Sequence, residues 1–78
     1  MAPFVALSYL ATMKQGRLSN RIRAARKRVN LSQEQLAALI GVTAGTVHRW
    51  ERGTVAPTLD HLRAVATATK TTLAKLAG

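Results

Sequence analysis

The chain has 78 residues, twelve Lys/Arg against three Asp/Glu, and a formal net charge of +9. This length excludes two domains of ordinary size and the large α/β enzyme architectures, since one domain typically takes about 100–150 residues. The charge calls for a polyanionic partner, nucleic acid before an anionic membrane surface, and a hydrophobic fraction of 47% is too high for a disordered basic tail.

The chain contains no cysteine, which removes disulfide frameworks, thiolate nucleophiles and cysteine-based zinc sites. It also fits a reducing, cytoplasmic setting. His48 and His61 have no carboxylate or cysteine cluster beside them in sequence, so neither a metal nor another cofactor is expected. No motif sets a nucleophile beside a base, and the expectation is a binding protein, not an enzyme.

Taken in chain order, the first feature is the apolar run Ala2–Met13. It is too short to cross a bilayer, which takes a helix of ~20 residues, and it lacks the basic start of a secretory signal. No membrane partner is expected. Three readings of residues 1–17 stand side by side. They form a loose extension, or a helix from Pro3 that docks Phe4, Leu7, Tyr9 and Leu10 on the remainder or on a second subunit, or they precede a natural start at Met13. The helix is favoured because the run is unbroken until Gly16.

From residue 18 onward the apolar spacing is helical and strand alternation is absent. Leu18, Ile22, Ala25 and Val29 recur at i, i+4, i+7 and i+11, which predicts a helix over about Leu18–Val29. Its other faces carry Arg21, Arg23, Arg26, Lys27 and Arg28, with no acid before Glu34. A merely solvated face is the alternative to an anion-facing patch. Ser32 and Gln35 form a capping-box pattern at the head of a helix with Leu36, Ala37 and Ile40 on its apolar face, ended by Gly41. Thr43 caps the next helix, whose inner face holds Val47 and Trp50, and Gly53 follows it. After Pro57, Thr58 caps a helix with Leu59, Leu62, Val65 and Ala66 inward. Thr71 or Thr72 then heads a last turn with Leu73 and Leu76. The expected fold is all-α, a compact bundle of four to five short helices over residues 18–78 with a helix-turn-helix at Gln33–Arg52.

The link at Gly41–Val42 is too short for the helices Gln33–Ile40 and Ala44–Arg52 to lie side by side, so they cross steeply. Small Ala37 admits the second helix, Gly41 permits the turn, and Val47 fills the space against Ala37. On the second helix, Gly45, Arg49 and Arg52 form a stripe opposite Val47 and Trp50, flanked by Ala44 and His48. Such a helix fits the major groove, where Arg49 can bond guanine bidentately and Ala44 can touch a thymine methyl. Gly45 offers no side chain and suits close approach of the backbone. His48 reads equally well as an exposed residue without a contact, and Trp50 reads as core.

The run from Leu18 to Gly78, centred on LSQEQLAALIGVTAGTVHRWERG (Leu31–Gly53), resembles the phage lambda repressor/Cro-type helix-turn-helix family. The resemblance implies a bundle of five helices that binds duplex DNA as a dimer. It implies phosphate contacts at Gln33, Thr43, Thr46 and Arg52, to which basic Arg23 is added. It places base-edge contacts at Ala44, Gly45 and Arg49, to which His48 is added from its place beside the stripe, and a structural pair, Arg26 with Glu51, between the first helix and the recognition helix. Two small residues, Ala44 and Gly45, stand where the family often carries longer polar readers.

The function expected is that of a small transcriptional regulator in the cytoplasm of a bacterium or phage host. It resembles a Cro-like repressor or a restriction-system controller acting on a palindromic operator as a homodimer. The alternative is the DNA-binding antitoxin of a toxin–antitoxin pair, with a toxin as protein partner.

Overall fold

The computed structural model describes residues 17–77, and the expectations for residues 1–16 lie outside the described residues. Five helices and no strand occur among the described residues: α1 (17–28), α2 (Gln33–Ile40), α3 (Ala44–Arg52), α4 (Leu59–Ala68) and α5 (Leu73–Ala77). The fold class is all-α.

The ends of α2, α3 and α4, and the start of α5, have local causes. At the head of α2 the Ser32 hydroxyl accepts the Gln35 backbone N–H at 3.0 Å, while the Gln35 side chain accepts the Ser32 N–H at 2.8 Å. This satisfies two donors that a helix start otherwise leaves unpaired. Thr43, Thr58 and Thr72 cap α3, α4 and α5 through their hydroxyls. Gly41 closes α2 at φ +78°, a left-handed conformation that costs glycine little.

Helix α1 ends one residue earlier than the apolar spacing predicts. Asn30 turns left-handed at φ 59°, and the Asn30 and Leu31 N–H groups donate back to Lys27 O and Arg26 O. Val29 is thereby carried into the turn and is only half-buried.

One core joins all five helices: Ile22 and Ala25 from α1, Leu36 and Ala37 from α2, Val47 and Trp50 from α3, Leu62, Val65 and Ala66 from α4, and Leu76 from α5. Burying a side chain of Ile, Leu or Val size contributes roughly 1.5–3 kcal/mol, so these few positions dominate a domain this small. Leu59 departs from its expected inward place and is 55% exposed. As the first residue of α4 its Cβ points back beyond the helix start, and the inward stripe begins at Leu62. Thr69, fully buried, donates its hydroxyl to Val65 O at 2.7 Å. Its carbonyl accepts Arg28 Nη2 at 2.6 Å, which ties the end of α1 to the end of α4.

Candidate nucleic-acid interface

Helix α3 has two faces set by residue chemistry. Val47, Trp50 and Glu51 are buried, whereas Gly45, His48, Arg49 and Arg52 are exposed, and Ala44 is half-buried. At 100° per residue, Gly45, Arg49 and Arg52 share one side of the helix. The structure therefore brings these residues together on a single outward stripe, with His48 and Ala44 beside it. Arg49 and Arg52 also lie in the last turn, where a cation stabilises the helix end on its own account.

The start of α3 differs from those of α2 and α4. Glu34 and Asp60 occupy the first turns of those helices, but the first turn of α3 holds no acid. Its positive dipole end is therefore left for an anion from outside. Thr43 Oγ1 accepts the Thr46 N–H at 3.1 Å, and the Thr43 and Thr46 hydroxyl oxygens lie 2.9 Å apart. One hydroxyl proton serves that mutual bond. The other remains for an external acceptor, whichever of the two donates.

Behind the stripe, Glu51 gathers three side chains from two other helices. Arg26 Nε and Nη2 donate to its two carboxylate oxygens at 2.6 and 2.9 Å. Gln33 Nε2 donates to Oε1 at 3.1 Å, and Arg23 Nε stands 3.5 Å from Oε1. Arg23 Nη2 also donates to the Glu51 backbone oxygen at 3.3 Å, and Arg26 Nη1 donates to Leu31 O at 2.8 Å. Burial pushes the Glu51 carboxyl up, but the hydrogen bonds from Arg26 and Gln33 and the charges of Arg26 and Arg23 overcome it and hold the group below its ordinary value. The bond to Glu51 in turn raises the Arg26 guanidinium against the opposing effect of burial. An ion pair this enclosed is better regarded as fixing the orientation of α3 than as a net gain in stability.

Two sequence-assigned phosphate residues thus have an internal duty. Gln33 commits one amide N–H to Glu51, and Arg23, with its side chain 45% exposed, straddles Glu51 and solvent. Spacing along the chain carries no signal for either contact, because the partners lie 18 and 28 residues away. Ser19 is also buried without having been anticipated. A Cβ built on Gly53 would lie 3.6 Å from its Oγ, so α1 passes close to the end of α3 at that point. Among the described residues no cluster of three or more His, Cys, Asp or Glu is placed to hold a metal, and no helix is long and apolar enough to cross a membrane.

The helix-turn-helix family model matches residues 22–76. Among solved structures, the chain is similar to the P22 c2 repressor protein, crystallised with a synthetic operator. That pair is 30% identical with a TM-score of 0.72, covering 76% of this chain and 89% of that one. It is also similar to the restriction-modification controller protein C.AhdI from Aeromonas hydrophila, 32% identical with a TM-score of 0.75, covering 80% and 94%. No curated protein matches the chain.

Proposed function

This chain belongs to the lambda repressor/Cro-type helix-turn-helix family, and from that membership we propose the manner in which it binds duplex DNA to regulate transcription. Helix α3 enters the major groove, with Ala44, Gly45, His48 and Arg49 toward base edges. Gln33, Thr43, Thr46, Arg52 and the exposed part of Arg23 hold the phosphate backbone on either side. The observation that carries this reading is the outward Gly45–Arg49–Arg52 stripe on a helix whose first turn is free of acid. The network around Glu51 is what orients that stripe.

The reaction is occupancy alone: a bound operator is closed to polymerase. Two copies, related by a twofold axis, present recognition helices about one DNA turn, ~34 Å, apart to a palindromic operator. Such a regulator works where the chromosome lies, in the cytoplasm. The two similar structures are a repressor and a controller protein, and no observation favours the antitoxin alternative.

Selection of bound duplexes from a random pool, followed by gel-shift stoichiometry, tests this reading. A palindromic consensus bound by two chains is expected. Recovery of no consensus, or unchanged selection by an Arg49→Ala variant, overturns the assignment of α3.

A further inference from the structure

An open groove of about 270 Å³ lies between α1 and α5. Arg21, Arg28 and Lys75 stand around it, exposed Ala24 lines it, and Ala25 and Leu76, core residues 4% and 2% exposed, close its floor. It is not on the α3 side of α1. Arg23 and Arg26 are the α1 residues that reach Glu51, whereas residues 21, 24, 25 and 28 lie about half a turn round the helix from them.

The cations here are oriented but not neutralised. Arg28 Nη2 donates to Thr69 O at 2.6 Å and Arg21 Nη1 donates more weakly to Leu76 O at 3.5 Å. Both acceptors are neutral carbonyls, so the guanidinium charges persist. No carboxylate among the described residues pairs with Arg21, Arg28 or Lys75. Three like charges around one groove with no acid among them give it a positive potential that an outside anion would relieve.

We propose that this groove docks an acidic, amphipathic segment of another protein. Carboxylates of that segment would meet Arg21, Arg28 and Lys75, and one apolar side chain would rest against Ala24, over the floor that Ala25 and Leu76 close. The shape favours this occupant over the others. The groove is smaller than the roughly 300–1,000 Å³ of small-molecule sites but takes a side chain. A phosphate backbone would answer the cations too, but a duplex seated on α3 lies on the other side of α1. A second copy of this chain, paired groove to groove by a twofold axis, would set the same cations against each other. The two exposed acids, Glu34 and Asp60, stand on different helices and supply no acidic stripe.

The experiment uses the full chain and a fluorescent synthetic helical peptide with Glu along one face and Leu at its centre. A control peptide carries Gln for every Glu. Anisotropy titration should show saturable binding of the Glu peptide only. The Arg21→Glu/Lys75→Glu variant should weaken it about tenfold or more, and Ala24→Gln, which fills the groove without changing charge, should weaken it too. Lys27→Glu/Arg63→Glu, an equal change of net charge at exposed positions elsewhere, should leave it close to the parent. Circular dichroism melting checks that every variant folds. Absence of saturable binding by the parent overturns the proposal, as does equal weakening by both charge-reversed variants. Loss of duplex affinity in the groove variant alone would make the groove a nucleic-acid contact, and the proposal would fall. The peptide titration contains no DNA, so its result is independent of the role assigned to α3.

Discussion

A Cβ built on Gly45 meets only Thr43 Oγ1, at 3.8 Å, and the backbone there is not left-handed. The fold therefore has room for alanine, and glycine inside a helix costs about 1 kcal/mol relative to it. Gly45→Ala should raise the melting temperature while lowering affinity for the selected operator, because the added methyl would sit where the backbone nears the duplex. Higher stability with unchanged affinity would show that no such approach occurs. Glu51 supplies the opposite kind of test. Its carboxyl is held below the ordinary 4.5 in the folded chain, so the unfolded chain takes up the proton first as pH falls. This contribution is complete above the ordinary carboxylate value and is lost as pH drops through the folded value. Glu51→Gln should cost roughly 3–5 kcal/mol at neutral pH, by leaving Arg26 buried without its counter-charge, and its melting temperature should fall less steeply with acid. Identical acid dependence in parent and variant would assign the acid sensitivity to another group.

Among the elements, helix ends separate what residue types announce from what only the folded chain decides. Gly41 and Gly53 mark the ends of α2 and α3 by their identity, and both adopt positive φ. Helices α1 and α4 use the same left-handed exit at Asn30 and Lys70, with φ 59° and 57°, and a lysine gives no warning of it. Gly41→Ala should therefore destabilise by about 1–2 kcal/mol through backbone strain alone, since an added Cβ there meets nothing within 4 Å. Lys70→Gly should stabilise. Thermal melts of the two variants that shift in the same direction would refute this account. Apolar spacing gave α2 and α3 cleanly because caps and breakers bracket them. It misplaced Leu59, which shares the spacing of Leu62 but sits at the open end of its helix. The contacts of Gln33 and Arg23 with Glu51 are invisible for a different reason: they arise from the packing of α3 against α1 and α2, a tertiary outcome.

For the whole molecule, the net charge of +9 names a class of partner but not a face. The folded chain divides the cations into groups. Arg49 and Arg52 line α3, Arg23 and Arg26 turn to Glu51, and Arg21, Arg28 and Lys75 surround the groove at α5. In the proposed binding mode, only part of the charge thus faces the duplex. For ~6 phosphates contacted, log affinity should fall against log salt with a slope of about −5. A slope near zero on duplex DNA would end the nucleic-acid reading, and one far steeper would draw the remaining cations onto DNA. Duplex titration over a range of salt concentrations decides between these results.

The single tryptophan of the chain, Trp50, is 2% exposed, and its ring centroid lies 5.3 Å from that of His61 on α4. It is carried by the same helix as the proposed reading stripe, on the opposite side. The molecule consequently has an optical gauge of its own. Emission from Trp50 reports whether α3 is seated in the core and is shielded from whatever lies against Arg49. Unfolding should shift that emission to the red as water reaches the indole, whereas operator binding should leave its wavelength in place. Folding and occupancy then become separate signals in one unlabelled sample, and a wavelength shift on adding operator would reveal that α3 moves on its seat when it binds.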